Sequence, residues 1–144
     1  MTQVLILNGP NLNRLGSREP DVYGTQSYEE LVAIAQVEAD RLGLTVSVKQ
    51  SNHEGELINW IHEAVDLKTH VIINPAAFTH YSYALRDACA LVTTAGLKLI
   101  EVHISNPHAR ETFRHTSVIS GVATGVIAGF GLDSYRLALV QLSH

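Results

Sequence analysis

Apolar residues along this chain follow two rhythms. Short runs that are continuous or alternate in twos stand at residues 4–7 (VLIL), 45–50 (TVSVKQ), 71–74 (VIIN), 99–102 (LIEV) and 123–128 (ATGVIA). Runs of this length, rich in β-branched residues, predict strands. Between them the spacing changes to threes and fours. Leu31, Ile34, Ala35, Glu38 and Leu42 recur at helical spacing, opened by the capping pair Ser27 and Glu30 and stopped by Gly43. Leu57, Ile58, Ile61 and Val65 mark a second helix over about residues 53–67, and further helices are predicted over 82–93 and 133–142. No repeat, low-complexity segment or linker interrupts the series.

Short, apolar strands alternating with helices predict an α/β fold whose parallel sheet is buried on both faces. Five strands in this length fit a three-layer, flavodoxin-like sandwich, with residues 1–144 as one domain. One stretch fits neither rhythm. NGPNLNRLGSREPDVYG, residues 8–24, follows the first strand and has no apolar periodicity of its own. Structureless loops this long are uncommon in compact domains and usually have a function.

Composition narrows the possibilities. Charged residues are 17% of the chain and mean hydropathy is +0.10, against about 25% charged in ordinary soluble domains. Part of the surface is therefore expected to be buried by self-association. A net charge of -4 offers no basic footprint for nucleic acid. The single cysteine, Cys89, allows neither a disulfide framework nor a cysteine-based zinc site within the chain. No apolar run has the length of a membrane span, and MTQVLILN lacks the basic and apolar regions of a signal peptide. A cytoplasmic location is expected.

In open parallel sheets, ligands gather beyond the carboxyl ends of the strands. The first strand is followed by Asn8, Asn11, Arg14, Arg18 and Tyr23, and the third by Asn74, Thr79, His80 and Ser82. The fourth is followed by His103, Ser105, Asn106, His108, Arg110 and Arg114. The opposite ends carry ordinary turns, RLGLT and TAGLK. Neither a phosphate loop nor a GxGxxG fingerprint is present. Lys68 and Lys98 precede strands and Lys49 lies on one, so no lysine is placed for Schiff-base chemistry. His103 and His108 lack a third ligand at metal spacing, so no metal is expected. Arginines, histidines, asparagines and one tyrosine suit a small carboxylated substrate and acid/base work without a cofactor.

Taken singly, each of these residues has a plainer reading. Tyr23 could pack its ring in a surface loop, His80 or Ser82 could cap the next helix, and His103 could be structural. The fold alone also suits a flavin or nucleotide module, although the first loop lacks a Ser/Thr/Gly cradle, and the low charge suits a structural assembly protein. Convergence at one sheet edge favours chemistry.

Four long stretches, NGPNLNRLGSREPDVYG, QSNHEGELINWIHEA, NPAAFTHYSYALRDA and EVHISNPHARETFR followed by GVIAGFG, resemble in order the motifs of the type II 3-dehydroquinate dehydratases over essentially the whole chain. The resemblance implies a flavodoxin-like fold and a homododecamer built as a tetramer of trimers. It implies dehydration of 3-dehydroquinate to 3-dehydroshikimate, the third step of the shikimate pathway, by anti elimination through an enolate with no metal, cofactor or Schiff base. Carried over by position, Tyr23 is similar to the base that takes the C2 proton and Arg18 to the arginine that favours its phenolate. His103 is similar to the acid that protonates the departing C1 hydroxyl. Asn74, His80, Ser105 and Arg114 match substrate-binding positions, with the backbone at Ile104 and Ser105 taking the carboxylate. Asp87 matches an acid that reaches the site within the trimer, and Asn11, Glu101 and Arg110 match the supporting shell. Phe78 stands where many members have tyrosine, and LVTTAGLK is slightly long.

A tyrosine ordinarily keeps its proton until about pH 10, so a tyrosine base acting at neutral pH needs a cation beside it. Residues 14–24 are expected to form a lid that brings Arg18 and Tyr23 over the substrate, with Asn8 and Asn11 in the site floor.

Overall fold

The structure, a computed structural model, describes residues 2–17 and 19–144. Strands β1 (Gln3–Asn8), β2 (Thr45–Gln50), β3 (His70–Asn74), β4 (Leu99–His103) and β5 (Gly125–Ala128) form a parallel sheet in the order β2-β1-β3-β4-β5. Helices α1 (Pro20–Tyr23), α2 (Tyr28–Leu42), α3 (Glu54–Asp66), α4 (Tyr83–Thr94) and α5 (Asp133–Leu142) complete the α/β fold expected from the alternating pattern.

Strand side chains alternate between the two faces, and each face has its own core. Val4, Ile6, Ile72, Ile100 and Val102 pack with Leu31, Ala35 and Ala39 of α2 and with Tyr135, Ala138 and Leu139 of α5. Leu5, Leu7, Val71, Ile73 and Leu99 pack with Leu57 and Ile61 of α3 and with Leu85, Cys89 and Val92 of α4. Burial on both sides explains why the strands read as apolar runs.

The predicted caps are in place. Ser27 Oγ accepts from the Glu30 N–H at 3.1 Å, and Ser82 Oγ from the Leu85 N–H at 3.0 Å. Gly43 closes α2 in the left-handed region, at φ 73°.

The chain runs from β1 to β2 on one side and returns to β3 on the other, so the order switches between β1 and β3. Their last residues, Asn8 and Asn74, are register partners there. Such switch points leave a crevice beyond the strand ends. The backbones close tightly around it. Gly9 N–H donates to the Asn74 carbonyl at 2.8 Å, and a Cβ on Gly9 would fall 2.6 Å from the Pro75 oxygen.

Residues 8–24 are not structureless. They contain a 3-10 turn, Leu12–Arg14, and the single-turn helix α1, which starts at Pro20 and is capped after Tyr23 by Gly24 at φ 82°. Proline is preset for the first helical position and glycine for the positive φ, so these local signals outweigh the missing periodicity. After β4 the chain runs through three further 3-10 turns, Pro107–Ala109, Thr112–His115 and Ser120–Val122, before reaching β5.

Candidate active site

An open cavity, with about 480 Å³ of empty space including solvent at its mouth, lies at the switch point. Tyr23, Asn74, His80, His103, Ile104, Ser105 and Arg114, all singled out from sequence, line it together with Asn11 and Arg110. Asn8 does not. It is fully buried behind the wall, which corrects its expected place in the site floor. Arg18 lies outside the described residues. Asp87 is outside the cavity of its own chain: it sits on α4 with its side chain 74% exposed, paired with Arg86 at 2.8 Å.

Strand geometry builds the histidine side of the site. β4 persists through His103, so Glu101 and His103 lie on the same face, two residues apart. His103 Nε2–H donates to Glu101 Oε2 at 2.5 Å, which commits that nitrogen and leaves Nδ1 as the ring nitrogen free to face a ligand. Glu101 is 1% exposed. Burial pushes its carboxyl up. The hydrogen bond and charge of His103, with the Ser120 and Ser117 hydroxyls, outweigh burial and hold it below the usual carboxylate range. Ser120 Oγ donates to Oε1 at 2.7 Å.

His80 does not cap α4. Its Nδ1–H donates to the Thr116 carbonyl at 2.8 Å. Burial pushes His80 below the ordinary imidazole value; the Thr116 carbonyl opposes this, while Arg114 and His103 reinforce it. The ring is therefore neutral at pH 7, with Nε2 an acceptor.

A cation stands against Tyr23. It is Arg110, whose guanidinium carbon lies 4.9 Å from the centre of the Tyr23 ring. Arg110 Nη1 also donates to Ser105 Oγ at 3.2 Å, and Nη2 approaches Glu19 at 3.8 Å. One side chain thus ties the loop after β4 to the stretch carrying Tyr23. From sequence, Arg110 is a candidate carboxylate clamp alongside Arg114 and, by resemblance, part of the supporting shell, while the cation expected beside Tyr23 is Arg18. The Arg114 guanidinium lies 4.6 Å from the Phe113 ring centre, and its Nε donates to Glu111 at 3.2 Å.

The remaining nucleophile classes lie elsewhere. No lysine lines the cavity, and Lys49 Nζ sits 5.1 Å from the Trp60 ring centre. Cys89 is buried, and burial, with Glu101 nearby, pushes its thiol up to about 12. Among the described residues no cluster of His, Cys, Asp or Glu could hold a metal ion, and no helix is long and apolar enough to cross a membrane. Phe78, the departure noted above, packs edge-on against Tyr81 at 5.9 Å and does not line the cavity.

These protonation states make stability depend on acid. His80 and His70 are both pushed below the ordinary value of 6.5, chiefly by burial, and the Lys98 N–H donates to His70 Nδ1 at 3.0 Å. The unfolded chain then binds these protons more readily than the folded one. Their contribution is complete above about pH 6.5 and is lost below it. Glu101, held below its ordinary 4.5, contributes fully above that value and loses its contribution as pH falls through the lower, folded one. Urea unfolding midpoints at pH 8, 6, 5 and 4 are expected to fall throughout this series. A midpoint that rises on acidification would contradict these assignments.

The comparisons with known proteins converge. The family model described as dehydroquinase class II matches residues 2–143. The chain is 58% identical over 141 residues to a 3-dehydroquinate dehydratase of Salinispora arenicola, spanning 98% of this chain and 96% of that protein. It is 57% identical over 136 residues to the enzyme of the same name from Mycobacteroides abscessus, spanning 94% and 92%. The crystal structure of the type II dehydroquinase from Propionibacterium acnes superposes with a TM-score of 0.95 at 50% identity, covering 99% of this chain and 97% of that one. A match over essentially the full length, in sequence and in fold, shows that the chain belongs to the class II dehydroquinase family.

Proposed function

We propose that the protein dehydrates 3-dehydroquinate to 3-dehydroshikimate, the third step of the shikimate pathway, by anti elimination through an enolate. Its relatives carry the name of this activity. The observation that best supports the mechanism is the meeting, in one cavity, of a tyrosine held against a guanidinium and a histidine held by a buried carboxylate.

Tyr23, as phenolate, takes the proton from C2. The electron pair left behind moves onto the C3 carbonyl oxygen, giving the enolate. When the enolate collapses, C1=C2 forms, the C1–O bond breaks, and the hydroxyl leaves as water with a proton from His103 Nδ1. Glu101 accepts from Nε2 throughout, fixing the ring and stabilising the imidazolium before transfer. Arg18 and Arg110 supply positive charge around the phenolate and the developing enolate. His80, Asn74, Arg114 and the backbone at Ile104 and Ser105 hold the hydroxyls and the carboxylate, a guanidinium being suited to bidentate capture. Each step uses this chain's own groups, with no metal, cofactor or Schiff base.

The same proposal includes a cytoplasmic homododecamer, a tetramer of trimers in which Asp87 serves a neighbour's site. The exposure of Asp87 and its absence from the lining of its own chain's cavity support that reading.

Purified protein given 3-dehydroquinate is expected to generate an enone absorbing in the near ultraviolet, at a rate unchanged by chelator or borohydride. Irreversible inactivation by borohydride only when substrate is present would establish a Schiff base and overturn the mechanism.

A further inference from the structure

Asn74 lines the cavity, yet both ends of its amide are engaged by the protein. Its Oδ1 accepts from the Ala76 N–H at 3.1 Å, and its Nδ2 donates to the Tyr135 hydroxyl at 2.9 Å. Tyr135 donates onward to Asn8 Oδ1 at 2.7 Å, and Asn8 Nδ2 donates to the Lys49 carbonyl at 3.3 Å. Asn8, Asn74 and Tyr135 are 0%, 3% and 1% exposed, so water does not compete for these groups.

The direction of every bond in this chain is forced. A backbone carbonyl only accepts and a backbone N–H only donates. The Lys49 carbonyl therefore takes the nitrogen end of Asn8, leaving its oxygen toward Tyr135. The single phenol proton goes to that oxygen, so Tyr135 can only accept from Asn74. Independently, the Ala76 N–H requires the oxygen end of Asn74. Both ends of the relay give the same amide orientation, and one Nδ2–H of Asn74 is left over for the cavity. Burial also pushes the Tyr135 hydroxyl far above its ordinary value, so it stays protonated.

We propose that Tyr135 is a positioning residue for substrate binding: it holds the Asn74 amide so that its one uncommitted N–H is offered to a hydroxyl or carbonyl oxygen of the substrate. The proposal rests on the reading of Asn74 as substrate-binding. It makes that position of the site a donor that recognises an acceptor oxygen. Without the Tyr135 hydroxyl, the Asn74 nitrogen loses the partner that fixes its angle, and a misdirected donor binds weakly.

The test compares Tyr135→Phe, Asn74→Ala and the double variant, measuring kcat and KM with 3-dehydroquinate and the urea midpoint of each. Tyr135→Phe is expected to raise KM about tenfold and to leave kcat within about threefold, the pattern of lost ground-state binding. In the Asn74→Ala background the same substitution is expected to leave KM unchanged, whatever it does to the urea midpoint. Equal KM effects in both backgrounds would overturn the proposal, since the hydroxyl would then act through general stability. If Asn74→Ala alone leaves KM unchanged, the reading of Asn74 as substrate-binding fails, and the proposal with it. Should Tyr135→Phe not unfold cooperatively, Asn8→Ala, which removes the acceptor orienting the hydroxyl, is read in the same way.

Discussion

Tyr23→Phe is expected to lower kcat about a thousandfold while leaving affinity for a substrate-like carboxylic acid within about threefold. The substitution removes one oxygen and keeps the ring. The ring is what packs against the α2–α5 core and faces the Arg110 guanidinium, so the stretch carrying it should hold its place. In the proposed mechanism, binding rests on other groups, among them Arg114 and His80, which line the same cavity and which the change leaves alone. A thousandfold loss corresponds to about 4 kcal/mol of transition-state stabilisation, within the reach of one well-placed base. Stopped-flow turnover and calorimetric binding of the acid separate the two quantities. Turnover within about tenfold of the parent would remove Tyr23 as the base. A parallel loss of affinity would make it a binding residue instead.

His103→Ala should also cost about a thousandfold in kcat, through the other half of the elimination. Hydroxide is a poor leaving group, so breaking the C1–O bond without a proton donor is slow. The signature lies in the pH profile. The descending limb attributed to the acid should vanish in the variant, because the proposed proton donor is gone. Glu101 complicates the reading, since it would be left buried with Ser117 and Ser120 as its partners. A loss of stability is therefore expected alongside, and the urea midpoint has to be measured on the same preparation. A variant that keeps the descending limb would place the acid on another group.

Much of this arrangement is legible in the sequence. The helices over 53–67, 82–93 and 133–142 were read to within a residue or so of Glu54–Asp66, Tyr83–Thr94 and Asp133–Leu142. A buried helix shows its stripe, and Ser27, Ser82 and Gly43 are local signals whose meaning needs no tertiary context. Tyr23, His103 and the residues after β3 were legible for a different reason. Parallel topology carries all strand ends to one side, so residues far apart in sequence are brought together by connectivity alone. The one-turn helix α1 was missed because four residues are too few to display a period.

Tyr135 was missed although a signal existed. It lies on the buried stripe of α5 with Ala138, Leu139 and Leu142, and a tyrosine on such a stripe must find a partner for its hydroxyl. Nothing local says which partner. The answer, Asn8 and Asn74, comes from two strands and depends on how α5 lies across the sheet.

The sequence by itself determined the strands and the longer helices, their parallel arrangement and the edge at which chemistry collects, because periodicity, capping and connectivity are properties of neighbours along the chain. Strand alternation already put Glu101 and His103 on one face, whereas the tertiary structure alone decided that Arg110 stands against Tyr23 and that the Tyr135 hydroxyl bridges Asn74 and Asn8. Those pairings are settled within a few ångströms by the packing of whole elements, a scale on which hydrogen bonds form or fail and which no pattern of residue types records.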